Sequence, residues 1–272
     1  MKRVIIFTIF CIVFVVGCNN NSIDKKDSGT EQKNDPELIS YSVVKSFPHD
    51  TNSFTEGFVA HNGQLFESTG HTDSYASSRS LFGILDTSTG KIDVKAEIDK
   101  KKYFGEGIVF FKDKIYQLTD TTRVGFVYDA KTYKLLNEFH YTGDGWALTT
   151  DGKHLIMSNG SSNIVYRDAE SFGVVKTLNV TDDNGPVSNI NELELINSFI
   201  YANQWLTNYI LKIDTVSGKV VGKLDLSAQA AEVKSVYNGS EEMNGIAFDA
   251  AADKIYVTGK LWPRIYEIKF NH

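Results

Sequence analysis

Cysteine is almost missing from this chain. Its 272 residues include two, Cys11 and Cys18, and none follows residue 18. From Asn19 onward this excludes a disulfide scaffold, a thiol nucleophile and a thiolate site for zinc. The six histidines (His49, His61, His71, His140, His154 and His272) show no close ligand spacing, so no metal and no cofactor are expected. Neither a Gly-x-Ser-x-Gly elbow nor a phosphate loop is present. Hydrolysis by a covalent serine or by zinc is left without support. A basic stripe is absent too. The formal charge is -6, and -8 once Lys2 and Arg3 are removed with the leader, which argues against a nucleic-acid partner. Helical periodicity is nearly absent, and beyond Val16 no apolar run is long enough to cross a bilayer.

What is present begins with an address. Lys2 and Arg3 precede an apolar run from Val4 to Val16, followed by Gly17 and Cys18. The run has the length of a signal sequence, not of a spanning helix. A small residue and then Cys directly after it resembles the bacterial lipobox, in which Cys18 is lipidated and becomes the mature N-terminus. Residues 1–17 are thus expected to be a lipoprotein signal. Residues 18–37, rich in Asn, Lys, Asp, Gly and Ser, are expected to be a flexible tether with almost nothing to bury. The remaining block, 38–272, is then held at a bacterial membrane by acyl chains alone, on a periplasmic or extracellular face. A monomer is expected.

That block repeats itself five times. Phe54-Thr55-Glu56-Gly57-Phe58 leads to Leu65-Phe66-Glu67-Ser68-Thr69-Gly70, and Phe104-Gly105-Glu106-Gly107-Ile108 to Ile115-Tyr116-Gln117-Leu118-Thr119. The pattern returns at Gly145-Trp146-Ala147-Leu148, at Leu193-Glu194-Leu195 and at Asn244-Gly245-Ile246-Ala247-Phe248, each followed by a second apolar run. A repeat of this length sets the architecture. Each unit reads as an inner strand, a turn, a second strand, a loop of variable length, a third strand, a turn and a fourth strand. Asp86, Asp129, Asp168 and Asp214 end third strands and open turns, where a carboxylate caps its own turn backbone. Five units of four strands make an all-β, five-bladed propeller. A β-sandwich would not need five equal units. The last unit supplies only three strands, so Ser40–Phe47 is expected to complete it and close the ring.

First strands of a propeller line its central channel. Glu56, Glu106, Trp146, Glu192 or Glu194, and Asn244 are therefore expected to face one pocket. Convergent acids are not what packing requires, and a crowded buried carboxylate has a raised pKa suited to moving protons near neutrality. Trp146, Trp205 and Trp262, the three tryptophans of the chain, are expected as walls. Asn191, Asn203 and Asn244 would hold an amide or carbonyl. Lys260, in Thr258-Gly259-Lys260-Leu261-Trp262-Pro263, would face a carboxylate or developing negative charge.

Taken together, the motifs from Phe54-Thr55-Glu56-Gly57 to Thr258-Gly259-Lys260 with Trp262-Pro263 resemble the plant and bacterial glutamine cyclotransferase family over about residues 40–268. They include Asn191-Glu192-Leu193-Glu194 and Tyr201-Ala202-Asn203 with Trp205. The resemblance implies a five-bladed propeller that converts an N-terminal glutaminyl residue of a peptide or protein into pyroglutamyl and releases ammonia. It places the proton shuttle on Glu56, with Asn191 and Lys260 as further catalytic residues. Phe54, Glu106, Asp120, Trp146, Glu192, Asn203, Trp205, Asn244 and Trp262 would contact substrate. Two positions depart from the family pattern: Asp120 stands where Trp is usual, and Ser158-Asn159-Gly160-Ser161 replaces Ser-Asp-Gly-Ser. The competing expectation is a tethered propeller without catalysis that binds peptides, glycans or a partner protein. A lactone-type hydrolase would want a metal-ligand set in the channel.

Overall fold

Apolar and alternating runs broken by Gly, Asn, Asp and Thr become short antiparallel strands in the computed structural model, which describes residues 35–272. The leader, Cys18 and the polar segment as far as residue 34 lie outside the described residues. Blade I comprises Thr55–His61, Gln64–Thr69, Leu81–Leu85 and Ile92–Glu97, and blade II Phe104–Phe111, Lys114–Asp120, Val124–Asp129 and Leu135–His140. Blade III has Leu148–Thr150, Leu155–Met157, Asn163–Arg167 and Val174–Asn179. Blade IV has Ile190–Ile196, Phe199–Gln204, Tyr209–Asp214 and Val220–Asp225. Blade V has Met243–Asp249, Lys254–Gly259 and Arg264–Lys269, completed by Ser42–Pro48. The protein is a five-bladed β-propeller.

Each blade is covered on both faces, which is why its inner strands read as continuous apolar runs. Neighbouring residues point to opposite faces. Ile115 packs in the core between blades I and II, whereas Tyr116 packs between II and III. Leu155 faces blade II, and Ile156 faces blade IV. Ile200 and Tyr201 divide in the same way between the III–IV and IV–V cores. The fifth core, holding Phe58, Leu65, Ala247 and Ile265, joins blades V and I. Five interfaces thus have five cores, and successive first strands pack side by side around the axis.

Ring closure follows the expected plan with a small shift in bounds. Ser42–Pro48 pairs antiparallel with Arg264–Lys269, from Ser42 opposite Lys269 to Pro48 opposite Arg264. His49 then reinforces the seam. Its ring bonds the Trp262 carbonyl at 2.8 Å and the Glu67 carboxylate at 3.0 Å, the His49 and Glu67 side chains being fully buried, while Thr55 Oγ1 donates to Glu67 at 2.7 Å.

Three features carry no repeat signal. Glu37–Leu38 adds a parallel strand to the outer edge of blade IV, so Glu37 belongs to the sheet. A two-residue hairpin pairs Thr181–Asp182 with Gly185–Pro186. Ser227–Val236 is the one α-helix among the described residues, inserted between blades IV and V with Val233 as its buried residue. The four turn aspartates behave as expected: each accepts backbone N–H groups of its own turn, such as Ser88 N to Asp86 at 2.8 Å and Ser217 N to Asp214 at 2.7 Å.

Candidate active site

A single backbone device builds the site. In four blades the first strand carries a β-bulge, an extra residue that breaks the pairing and re-aims a side chain. The register shifts fall between Thr55 and Gly57, Gly105 and Ile108, Ile190 and Leu193, and Met243 and Ile246. The bulged residues are therefore Glu56, Glu106-Gly107, Asn191-Glu192 and Asn244-Gly245. The glycines permit close approach. A Cβ on Gly57 would stand 2.7 Å from the Ile108 nitrogen, and one on Gly107 2.5 Å from the Ala147 Cα. In blade III, Trp146 takes the equivalent place just before its strand, held by Trp146 N–H to the Ser158 carbonyl at 3.0 Å.

The result is a cavity of about 250 Å³ where first strands begin and second strands end. Phe54, Glu56, Phe104, Glu106, Trp146 and Asn191 line it from the first-strand side. Thr72, Asp120, Trp205 and Lys260 line it from segments at or after second strands. Trp146 and Trp205 meet edge-to-face with centroids 5.6 Å apart. Gly160 makes room for Trp146, since a Cβ there would lie 2.4 Å from the indole, and its φ of +76° suits glycine. Asn159 holds that turn by accepting Ser161 N–H at 3.1 Å, so the Asp-to-Asn departure preserves the turn.

The charges are concentrated. Lys260 Nζ meets Glu56 Oε1 at 2.7 Å, and Asn244 Nδ2 donates to Glu56 Oε2 at 3.0 Å. Lys260 also stands 4.7 Å over the Phe54 ring. Glu56, Glu106 and Lys260 are 2 %, 5 % and 7 % exposed. Burial pushes the Glu56 carboxyl up to about 7; Lys260 opposes this, while Glu242 and Asp120 add to it. Burial first, then the neighbouring Glu56, raises Glu106 well above the usual carboxylate range. Burial works against the Lys260 ammonium, but Glu56 and Glu106 keep its pKa above the ordinary lysine value. Burial raises Asp120 as well. The carboxyl of Glu106 makes no side-chain hydrogen bond or ion pair among the described residues, and the Asn191 Oδ1 is buried without a partner. Both are free to meet a ligand.

A family model for glutamine cyclotransferase matches residues 13–270. The chain belongs to the glutamine cyclotransferase family. It is 37 % identical over 232 residues to a glutaminyl-peptide cyclotransferase of Arabidopsis thaliana, covering 84 % of this chain and 71 % of that one. Among solved structures it resembles the Myxococcus xanthus glutaminyl cyclase, with a TM-score of 0.79 and 32 % identity over 87 % of this chain and 99 % of that one.

Within this member of the family the expected site residues separate into groups. Phe54, Glu56, Glu106, Asp120, Trp146, Asn191, Trp205 and Lys260 come together at the cavity. Asn244 sits behind it, reaching Glu56 and the Thr55 carbonyl. Three residues expected at the substrate are committed elsewhere. Trp262 is fully buried in the IV–V core and donates its indole N–H to the Glu241 carbonyl at 3.0 Å. Asn203 accepts the Gly245 N–H at 2.8 Å. Glu192 accepts N–H groups from Phe58 at 3.3 Å and Ile246 at 2.9 Å, clamping blades I, IV and V. Glu194 does likewise with Phe248 at 3.2 Å. Phe104 and Thr72 were not foreseen. Phe104 was available as the repeat counterpart of Phe54, which it meets edge-on at 6.0 Å. Thr72 lies in a loop of variable length with no motif to mark it.

Proposed function

We propose that this chain is a glutaminyl-peptide cyclotransferase, converting an N-terminal glutaminyl residue to pyroglutamyl with loss of ammonia. The single observation that carries the proposal is a one-residue-sized cavity in which two buried carboxyls, one ammonium and an unpartnered Asn191 oxygen converge. The α-amine attacks its own side-chain carboxamide carbon, so the enzyme has chiefly to fold the substrate and move protons. Asn191 Oδ1 accepts a substrate N–H. Lys260 stabilises the oxyanion that forms at the carboxamide oxygen. One proton leaves the attacking nitrogen and one reaches the departing nitrogen, so the carboxyl pair ends each turnover as it began.

The family resemblance points to Glu56 for this shuttle. The hydrogen bonds favour Glu106 as the group that meets the substrate, because both Glu56 oxygens are occupied by Lys260 and Asn244. Glu56 then fixes Lys260 and sets the charge of the pair. The protein side chains supply every proton and the cation, so turnover is expected to survive a chelator. The apolar leader with Gly17-Cys18 supports a lipid-anchored enzyme at the bacterial cell envelope.

The test is incubation with Gln-initiated peptides, reading ammonia and pyroglutamyl product. Glu106→Gln is expected to lose at least about 100-fold in kcat, and Glu56→Gln about 10-fold or less. Loss confined to Glu56→Gln would return the shuttle to Glu56. No turnover of any such peptide would leave a binding propeller, the reading that Asp120 in place of the family's aromatic wall favours.

A further inference from the structure

The cavity opening holds more acid than the chemistry uses. Asp120 ends the second strand of blade II, half-buried, and lines the cavity. Glu242 lies on the segment entering blade V. Its carbonyl accepts the Lys260 N–H at 2.9 Å, and the neighbouring Glu241 N–H donates to the Lys260 carbonyl at 2.8 Å. Among the described residues neither Asp120 nor Glu242 has an ion-pair partner. Of the surrounding cations, Lys260 pairs with Glu56 at 2.7 Å and Arg123 with Asp144 at 4.0 Å, while Lys234 donates to the Ser240 carbonyl at 2.7 Å and keeps its charge.

A path for a longer ligand starts beside these acids. Glu241 and Glu242, with Leu206 and Ala230, line a groove of about 500 Å³. Leu206 follows the cavity residue Trp205 in the chain, and Glu242 is hydrogen-bonded to the cavity residue Lys260. Inside the cavity the Asn191 oxygen, in a residue only 4 % exposed, waits for a donor. Asp120 and Glu242 both act on the buried Glu56 carboxyl, so both stand close to the place a first residue would take. We infer that Asp120 and Glu242 select glutaminyl peptides whose second residue is Lys or Arg, an inference that rests on the cyclotransferase reading of the same cavity. The acids at the opening oppose an acidic second residue for the same reason. An aspartate in place of an aromatic wall exchanges a stacking surface for this charge preference.

The test compares kcat/KM for Gln-Lys-Ala, Gln-Ala-Ala and Gln-Glu-Ala, at low and high salt, in the wild type, Asp120→Asn and Glu242→Gln. The Lys peptide is expected to exceed the Glu peptide by about 10-fold at low salt. The ratio should shrink at high salt and fall to about 3-fold or less in each variant. Because Glu242 is only partly buried, its variant decides the matter if Asp120→Asn fails to fold. Equal kcat/KM for the Lys and Glu peptides in the wild type overturns the inference and leaves cyclisation intact. If no peptide is cyclised, quenching of Trp146 and Trp205 fluorescence by the same peptides decides. Tighter binding of the Lys peptide, lost in the variants, keeps the charge selection without the catalytic reading. Equal affinities overturn both.

Discussion

Among the described residues, Lys260 is the only cation lining the cavity that also holds Glu56 and Glu106. Three buried charges cannot all persist in a water-poor site, and a carboxyl neutralises instead of staying charged without a partner. One ammonium balances one carboxylate, so the pair keeps one proton between them near neutrality. Removing the ammonium changes that count. In Lys260→Met the attraction that holds Glu56 down to about 7 disappears, so Glu56 stays protonated to higher pH. Carbon-13 NMR of glutamate carboxyls is expected to show a group titrating near neutrality in the wild type and above that in the variant. Turnover should fall by at least about 100-fold, the usual cost of losing one oxyanion donor. An unmoved titration would mean that Lys260 does not set the charge of this pair.

The first strand is the element that makes a propeller blade into a site. Its bulge turns one side chain toward the axis, and its glycine lets the next blade come close. Gly107→Ala would put a methyl 2.5 Å from the Ala147 Cα, a backbone atom that cannot rotate away. We expect a loss of about 2–3 kcal/mol, or a Tm lower by roughly 5–10 °C. Gly173→Ala, whose nearest neighbour would be Ser171 Oγ at 3.3 Å, should change Tm by about 1–2 °C at most. Equal effects at both positions would dismiss the close-approach role of Gly107. The five repeats announce these strands in the sequence because strand, turn and bulge chemistry are local. The same locality made Asp86, Asp129, Asp168 and Asp214 legible as turn residues. It fails at Asn191-Glu192, where two adjacent polar residues share one bulge. Asn191 lines the cavity, and Glu192 bonds backbone N–H groups of other blades. It fails again at Trp262, whose ring is claimed by the core. Which side of a bulged strand faces the cavity depends on the neighbouring blades, and nothing in a single unit records that. The helix Ser227–Val236 is missed for a related reason. Its alanine-rich face buries Val233 and little else, so no apolar period marks it.

At the scale of the whole ring, the axis is held by carboxyl groups that fold into a poorly solvated place. Burial raises Glu56 to about 7 and Glu194 to about 8, and lifts Glu106 and Glu192 well above the ordinary value of 4.5. Below its raised folded pKa each keeps a proton that the unfolded chain releases near that ordinary value. Folding is therefore favoured at low pH and loses stability as pH rises through the folded pKa. His49 acts in the same direction. Burial opposes its charge, but Glu67 raises its pKa, so its contribution is full below the unfolded value of 6.5 and is lost above the folded one. The turn aspartates have the opposite sign. Asp86 and Asp168 are held below the usual range by hydrogen bonds from their turns, and their contribution is lost as pH falls through those lowered values. The two sets together give a dome of stability with its top in mild acid. Tm is expected to be highest near pH 4–5, above the titration of the turn aspartates and below that of the axial carboxyls in the unfolded chain, and to drop by about 5–10 °C by pH 9. In Glu194→Gln, which keeps an acceptor for the Phe248 N–H but cannot ionise, the alkaline drop should be smaller than in the wild type. A Tm that is flat or rising from pH 6 to pH 9 would mean that the axial carboxyls are ionised in the folded ring, and the proton held by the Glu56–Glu106 pair would go with them.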